Sequence, residues 1–437
     1  MSLNIKPEVS KEKAKSIKSF GNHVSSGKAK FFSDLGMDMV MGDREGAFLA
    51  DMDGKKKLFN LHCNGGVFNL GHRNPELIKI LIESLATFDI GNHHLMSRVR
   101  AELAELIATL MPGDLNYTVF GVGGGEAVDL AIKVARAWSG RKKIVSARGG
   151  YHGHTGLAVA TGDRKYSEPF GVSSADFVQV PFGDLPALET AMGEDAAAVI
   201  LETIPATLGI VIPPQDYLPA VRDLCSKKDT LLILDEIQTG LGRTGKLWGF
   251  EHFGVVPDMV LLGKGLSGGL YPIAATVMRT QLEQVFHADP FIHISTFGGA
   301  ELGCCVAKRV LEISAEQVFL DSVNNLAEAF AVHIKVLQNR YPDFLVGFRQ
   351  LGLMMGLVFE GELSGPLVTK TAYDNDLLMI YANNDTTVCQ MLPPLIMEKD
   401  QVAWVVARLS RSIAEARQLC GEISPRQNTP QGWGAEI

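Results

Sequence analysis

Two apolar runs, Leu231-Leu232-Ile233-Leu234 and Met259-Val260-Leu261-Leu262, carry no polar residue at any position. Strict alternation would mark strands with one wet face. Unbroken apolar character marks strands buried on both faces, as in parallel sheets covered by helices. The two runs lie about one βαβ unit apart. Further short apolar segments are predicted as strands at Tyr117–Val122, Lys143–Ser146, Phe177–Pro181, Ala198–Glu202, Thr230–Leu234 and Ala274–Met278. They alternate with helical patterns at Glu126–Trp138, Leu185–Met192, Tyr217–Lys227 and Gly299–Ile313. From about Gly65 to Ser314 the chain therefore reads as an α/β domain with a mostly parallel central sheet flanked by helices.

From Ala315 the pattern changes to a long amphipathic helix (Val318–Gln338), strands at Leu345–Gln350 and Leu353–Phe359, and a last helix at Lys399–Leu419. This is a smaller α+β domain, and a hairpin over Phe48–Leu61 is expected to join it. The 437 residues exceed what one core holds. The expected division is residues 1–64 packing with the small domain, a large domain over 65–314, and the small domain over 315–437. Lysines 11, 13, 15 and 18 sit among polar residues without an apolar core, so the N-terminus reads as a charged surface arm rather than a signal peptide. The stretch from Glu422, with Pro425 and Pro430, reads as a loose tail.

A net charge of −8 gives no basic footprint for nucleic acid, and no apolar run reaches bilayer length. The six cysteines form no C-x-x-C pair. They read as small core residues of a reduced, cytoplasmic protein, the adjacent Cys304 and Cys305 within a helix.

Both apolar runs end in chemistry. The first leads into Asp235-Glu236-Ile237-Gln238-Thr239-Gly240 and the second into Gly263-Lys264-Gly265. Open α/β sheets place ligands at the carboxyl ends of their strands. A lysine there is poorly solvated, which lowers its pKa and frees the amine as nucleophile or base. A Schiff-base lysine beside a carboxylate is the pairing that pyridoxal 5′-phosphate (PLP) chemistry requires; a salt-bridged Lys and Asp at two strand ends is the alternative. Gly121-Val122-Gly123-Gly124-Gly125-Glu126 follows a strand and opens a helix, so its N–H groups offer a phosphate site or simply a tight turn. No Gly-Lys-Ser/Thr follows, which argues against a nucleotide-binding module. In Gly150-Tyr151-His152-Gly153-His154, Tyr151 is placed to stack on a planar ligand, and the histidines read as hydrogen-bonded loop residues rather than metal ligands. Ser295 and Thr296, in Ser295-Thr296-Phe297-Gly298-Gly299, offer an anion contact, a helix N-cap, or both.

Taken in order, these segments resemble the class-III (ω-type) aminotransferases of PLP fold type I. The likeness runs from about Gly42 to Leu419. It includes Leu70-Gly71-His72-Arg73-Asn74-Pro75 and Asp235-Glu236-Ile237-Gln238-Thr239-Gly240-Leu241-Gly242-Arg243-Thr244-Gly245. The resemblance implies that Lys264 forms the Schiff base with PLP and Asp235 pairs with the pyridine nitrogen. It places Ile237 and Tyr151 on opposite ring faces, Gln238 at the ring hydroxyl, and the N–H groups of Gly124 and Gly125 on the phosphate. Thr296 would reach in from the partner of a homodimer with shared active sites; dimer and tetramer (a pair of such dimers) both stay open. The implied reaction moves an amino group from an amine or ω-amino acid to a keto acid by a ping-pong mechanism. A racemase, decarboxylase or lyase of the same fold remains the alternative.

Three departures stand out. The phosphate turn, usually Ser-Gly-Thr-Glu-Ala, is Gly123-Gly124-Gly125-Glu126-Ala127. Thr207 replaces the second glutamate of the segment beginning at Glu202, and Gln390 replaces the arginine before Leu392-Pro393-Pro394-Leu395. In many relatives that arginine binds a substrate carboxylate and the glutamate neutralises it. Losing both implies that no bidentate arginine clamps a carboxylate here. His93 and His94 lie where relatives line the substrate entrance, and surface histidines are the alternative.

Overall fold

The computed structural model describes residues 11–172 and 174–423. Its centre is a seven-stranded sheet, in spatial order Leu115–Gly121, Ala274–Arg279, Met259–Leu262, Leu231–Asp235, Ala196–Glu202, Lys143–Ala147 and Phe177–Val180. Ala274–Arg279 runs antiparallel to both neighbours; the other pairings are parallel. Every residue of Ala196–Glu202, Leu231–Asp235 and Met259–Leu262 is buried.

The two-residue repeat of a strand divides these side chains between two cores. Ala198, Ile200, Ile233 and Leu261 pack beneath the helix Gly124–Ser139, with Val128, Ala131 and Ile132. Val199, Leu201, Leu232, Leu234, Val260 and Leu262 face the opposite way, toward Leu103, Ile107, Leu218 and Val221. Both layers press on the same strands, so the strand tips are held on both sides.

A separate core gathers the helices Gln317–Arg340, Ser364–Asp374 and Lys399–Ile423 around the antiparallel sheet Leu345–Leu351, Met354–Phe359, Asp385–Met391 and Ile380–Ala382. The expected hairpin is present as Phe48–Asp51 paired with Lys57–Asn60. Lys57–Asn60 also pairs with Leu377–Leu378, so Phe59 and Leu61 enter this C-terminal core.

The N-terminal reading needs correction. Lys11–His23 and Ser26–Asp34 are helices, and Lys13 is buried rather than solvated. Its ammonium lies 2.6 Å from Asp51 and 3.6 Å from Asp38, and this pairing offsets the cost of burying a charge. The last helix continues past the expected start of the tail at Glu422 to Ile423; residues 424–437 lie outside the described residues. Helices at Pro75–Ser84 and Arg98–Leu110 went unread, although Asn74-Pro75 and Ser97 carry their N-cap signals. No described helix is long and apolar enough to cross a membrane.

Candidate functional site

Strand register brings the site's carboxylates together. Glu202 is paired with Asp235, and Asp235 with Leu261, three residues before Lys264. The chain turns sharply there: Gly263 is extended, and Lys264 adopts a left-handed backbone with φ 42°. For a residue with a side chain this is a strained conformation, and it persists because the packing around it dictates it. The Lys264 Nζ donates to Gln238 Oε1 at 2.9 Å. Burial pushes the Lys264 pKa down, while Asp235 and Glu202 act in the opposite direction without cancelling it.

Asp235 is fixed through both oxygens. Oδ1 accepts from the Ile237 N–H at 3.0 Å, and Oδ2 lies 2.8 Å from His152 Nδ1. Burial works to lower the His152 pKa, but the Asp235 carboxylate and Glu202 outweigh it, and the net direction is up. The imidazole is buried beside a carboxylate that favours its charged form. Its Nε2 has no hydrogen-bond partner among the described residues. Glu202 accepts from the Tyr151 N–H at 2.8 Å and the Ala206 N–H at 3.1 Å, which ties the Tyr151 loop to the neighbouring strand end. Burial raises its pKa; His152 opposes this and Asp235 adds to it. Glu236 points to the other side, where it accepts from Thr203 Oγ1 and from the N–H groups of Gly249 (2.6 Å) and Phe250 (3.0 Å).

The glycine turn is shaped by close approach. A Cβ on Gly124 would sit 2.8 Å from Ile237 Cδ1, and one on Gly125 2.6 Å from Thr155 Oγ1. The helix begins at Gly124 with no side-chain cap on its first N–H groups, while Glu126 turns back to the Val122 N–H at 2.6 Å. Uncapped N–H groups at the positive end of a helix dipole form an anion site. Below Lys264 the chain makes a left-handed turn through Cys63, Asn64, Gly65 and Gly66, with φ from 51° to 97°. Asn60 Oδ1 holds it by accepting from the His62 and Cys63 N–H groups. A Cβ on Gly65 would come within 3.1 Å of Lys264 Cε, so the missing side chain leaves the lysine room.

Gly124, Gly125, Tyr151, Asp235, Ile237, Gln238 and Lys264, all singled out from sequence, line one cleft of about 600 Å³. His152, Gly153, Glu202, Ile204 and Thr239 complete its lining. Sequence reasoning gave His152 only a generic hydrogen bond and assigned Glu202 no role. The signal for Glu202 was available, since it ends an apolar run as Asp235 does.

Other expected residues lie elsewhere. Thr296 is exposed, and the following helix starts at Glu301 with Ala300 at its N-cap, so neither Ser295 nor Thr296 caps it. That helix begins later than the periodicity indicated, and the glycines Gly298 and Gly299 form a turn before it. His94 is also exposed, its ring 4.2 Å from His93 and 5.3 Å from Phe291. Thr207 Oγ1 donates to the Gly149 carbonyl at 2.8 Å, and so joins two loops. Gln390 is buried in Asp385–Met391, paired with Gly356 and Ile380, and is not a lining residue.

The family model for class-III aminotransferases matches residues 33–413. A protein of Archaeoglobus fulgidus described as an uncharacterized aminotransferase is 54% identical over 406 residues, 93% of this chain and 95% of its own. Putrescine aminotransferase of Pectobacterium atrosepticum is 35% identical over 391 residues, 86% and 82% of the two chains. Among solved structures, ornithine aminotransferase of Toxoplasma gondii superposes with a TM-score of 0.82 at 25% identity, covering 92% of this chain and 98% of its own. A transaminase of the marine bacterium Virgibacillus gives 0.86 at 23% identity, covering 93% and 100%, a likeness of fold.

Proposed function

This chain belongs to the class-III aminotransferases, and from that membership we propose that it uses PLP bound covalently through Lys264 to move an amino group from an amine or ω-amino acid to a keto acid. The observation that carries the assignment is a half-buried lysine with a lowered pKa in one cleft with a doubly fixed aspartate and a glycine-rich helix start that has no side-chain cap among the described residues. The residues fit the cofactor on their own terms. The Gly124 and Gly125 N–H groups suit its phosphate, and the unpartnered buried Gln238 Nε2 is a donor suited to its ring hydroxyl. Ile237 and Tyr151 both line the cleft and would cover the two faces of a flat ring.

When bound, PLP supplies a ring that takes up the electron pair left behind when the substrate carbon loses its proton. The Asp235 carboxylate would keep a proton on the ring nitrogen, and His152 holds that carboxylate oriented through Oδ2. The Lys264 Nζ, whose pKa burial lowers, would take the proton from the amine-bearing carbon and return it on the cofactor side.

The reading extends to a homodimer, with Thr296 of one copy completing the phosphate site of the other. Its support is an exposed apolar surface on two neighbouring segments: Leu95 and Met96 on one, Phe291, Ile294 and Phe297 on the other. Arg100 draws these segments together by donating to the Ile90, Asn92 and Gly299 carbonyls. Contiguous exposed apolar surface of this kind marks an interface. On this reading residues 65–314 form the cofactor domain, with the described parts of 1–64 and 315–437 forming the small one. The six free cysteines support a reducing, cytoplasmic setting.

The test is to mix PLP-loaded protein with a panel of amines, without acceptor, and follow the visible spectrum. Conversion to pyridoxamine phosphate is expected. Exchange of the substrate's α-proton with solvent, without pyridoxamine phosphate, would overturn the proposed reaction.

A further inference from the structure

A run of ring contacts leads from the cleft's Tyr151 to an exposed ammonium. Tyr151 lines the cleft, and the His154 ring lies 5.2 Å from its ring. The Tyr166 ring follows, 4.9 Å beyond His154. The Lys165 ammonium stands 4.9 Å from the centre of the Tyr166 ring and donates to Asn384 Oδ1 at 2.9 Å. Asn384 is itself held, because its Nδ2 donates to the Gly149 carbonyl at 2.9 Å, the oxygen that also accepts from Thr207. The exposed ammonium thus has both a ring and an anchored amide as neighbours.

Its charge is not spent. Neighbouring Arg164 pairs with Glu168 at 2.7 Å, but among the described residues no carboxylate forms a salt bridge with Lys165. An ammonium has three donors, and Asn384 uses one of them. The cleft interior has the opposite character. Its lining includes the carboxylates Glu202 and Asp235, contains no arginine, and has Lys264 as its lysine, a group the proposed chemistry consumes. Gln390 and Thr207 offer no cation either. A substrate carboxylate entering this cleft therefore finds no free positive partner near the reacting carbon.

We propose that Tyr151, His154, Tyr166 and Lys165 form a rim subsite for the far end of the amino donor. The rings carry its chain, and Lys165 binds a distal carboxylate. The inference rests on the proposed amine-donor reaction and adds to it a substrate class: long-chain donors with an anionic end opposite the amine. Short donors end before reaching Lys165, so the benefit of the carboxylate grows with chain length. Asn384 is a positioning residue, because it holds the ammonium from a hairpin of the C-terminal sheet.

The experiment compares ω-aminocarboxylates of increasing length with alkylamines of the same length, using wild-type, Lys165→Ala and Asn384→Ala holoenzyme with one acceptor. The wild type is expected to favour the longer aminocarboxylates. Lys165→Ala should raise their KM by about ten-fold or more with kcat retained, since one charge-assisted contact is lost. Alkylamine kinetics should stay unchanged, and Asn384→Ala should give a smaller rise in the same KM. The corresponding alkanoates, which lack the amine, should inhibit the wild type competitively and Lys165→Ala much less. A wild type without carboxylate preference, or equal effects of Lys165→Ala on both series, overturns the subsite. A wild type that converts neither series while still binding PLP overturns the amine-donor reading itself, and the subsite with it.

Discussion

The floor of the cleft and the surface around Thr296 are built in opposite ways. On the floor, Asp235, His152 and Glu202 are buried and Lys264 is half-buried, and each is held by hydrogen bonds to neighbouring side chains, strand ends or loops. Around Thr296, Phe291, Ile294 and Phe297 stand exposed beside Leu95 and Met96. The floor is complete within one chain. The Thr296 surface has the exposed apolar character of an interface, and in the proposed homodimer it would become functional against a second copy. The difference separates chemistry that a single chain pre-organises from chemistry that assembly would complete.

Changes to the floor test the chemistry most severely. Lys264→Ala removes the proposed covalent anchor and proton carrier, and product formation should fall by about 10³-fold or more. An unchanged rate would remove Lys264 from the mechanism. Asp235→Asn should retain bound PLP, visible by absorbance, yet slow proton abstraction by about 10² to 10⁴-fold, measured as loss of deuterium from a labelled amine. It also deprives His152 of the carboxylate that holds its pKa up. Unchanged turnover in this variant would make the Asp235–His152 pair a structural contact only.

The exposed surface calls for a different readout. Met96→Asp combined with Phe297→Asp places charge on both apolar segments while leaving the floor's hydrogen bonds intact. Light scattering should report a mass reduced to that of one chain, with activity falling alongside it. Full activity in a monomeric variant would show that the floor suffices alone, and the contrast between the two regions would lose its functional meaning.

The floor was readable in the sequence because its determinants are local. An unbroken apolar run declares a doubly covered strand, and the residue ending it declares the ligand edge; Asp235 and Lys264 follow from that logic alone. Register is a different matter. That Glu202 pairs beside Asp235 depends on how far each strand extends, which propensity does not decide. The same limit explains Thr207. Its departure from the family pattern was visible, but its bond to the Gly149 carbonyl joins loops 58 residues apart. Lys13 was misread for a related reason: a lysine among polar residues looks solvated until the fold brings Asp51 and Asp38 to it.

The smallest predicted effect concerns Glu236, the floor's neighbour that faces away from the cleft. Burial pushes its carboxyl up to about 7, against the opposing bonds from Thr203, Gly249 and Phe250. The folded protein thus holds this proton more tightly than the unfolded chain does. Its contribution to stability is fully present below the ordinary carboxyl range and is lost as pH rises through about 7. His62 and His72, each pushed down to about 4 chiefly by burial, work in the other direction, their contribution being lost as pH falls from the ordinary imidazole value toward 4. The raw stability curve therefore mixes opposing slopes, and a difference measurement separates them. Urea unfolding of the wild type and Glu236→Gln across this range should show the variant gaining on the wild type as pH rises to about 7, whatever its absolute deficit. A constant difference would mean that the two backbone N–H groups and the Thr203 hydroxyl keep Glu236 ionised throughout. The Glu236 carboxylate would then stand as a permanent negative charge facing the Gly249–Phe253 turn, on the side away from the cleft that Asp235 lines.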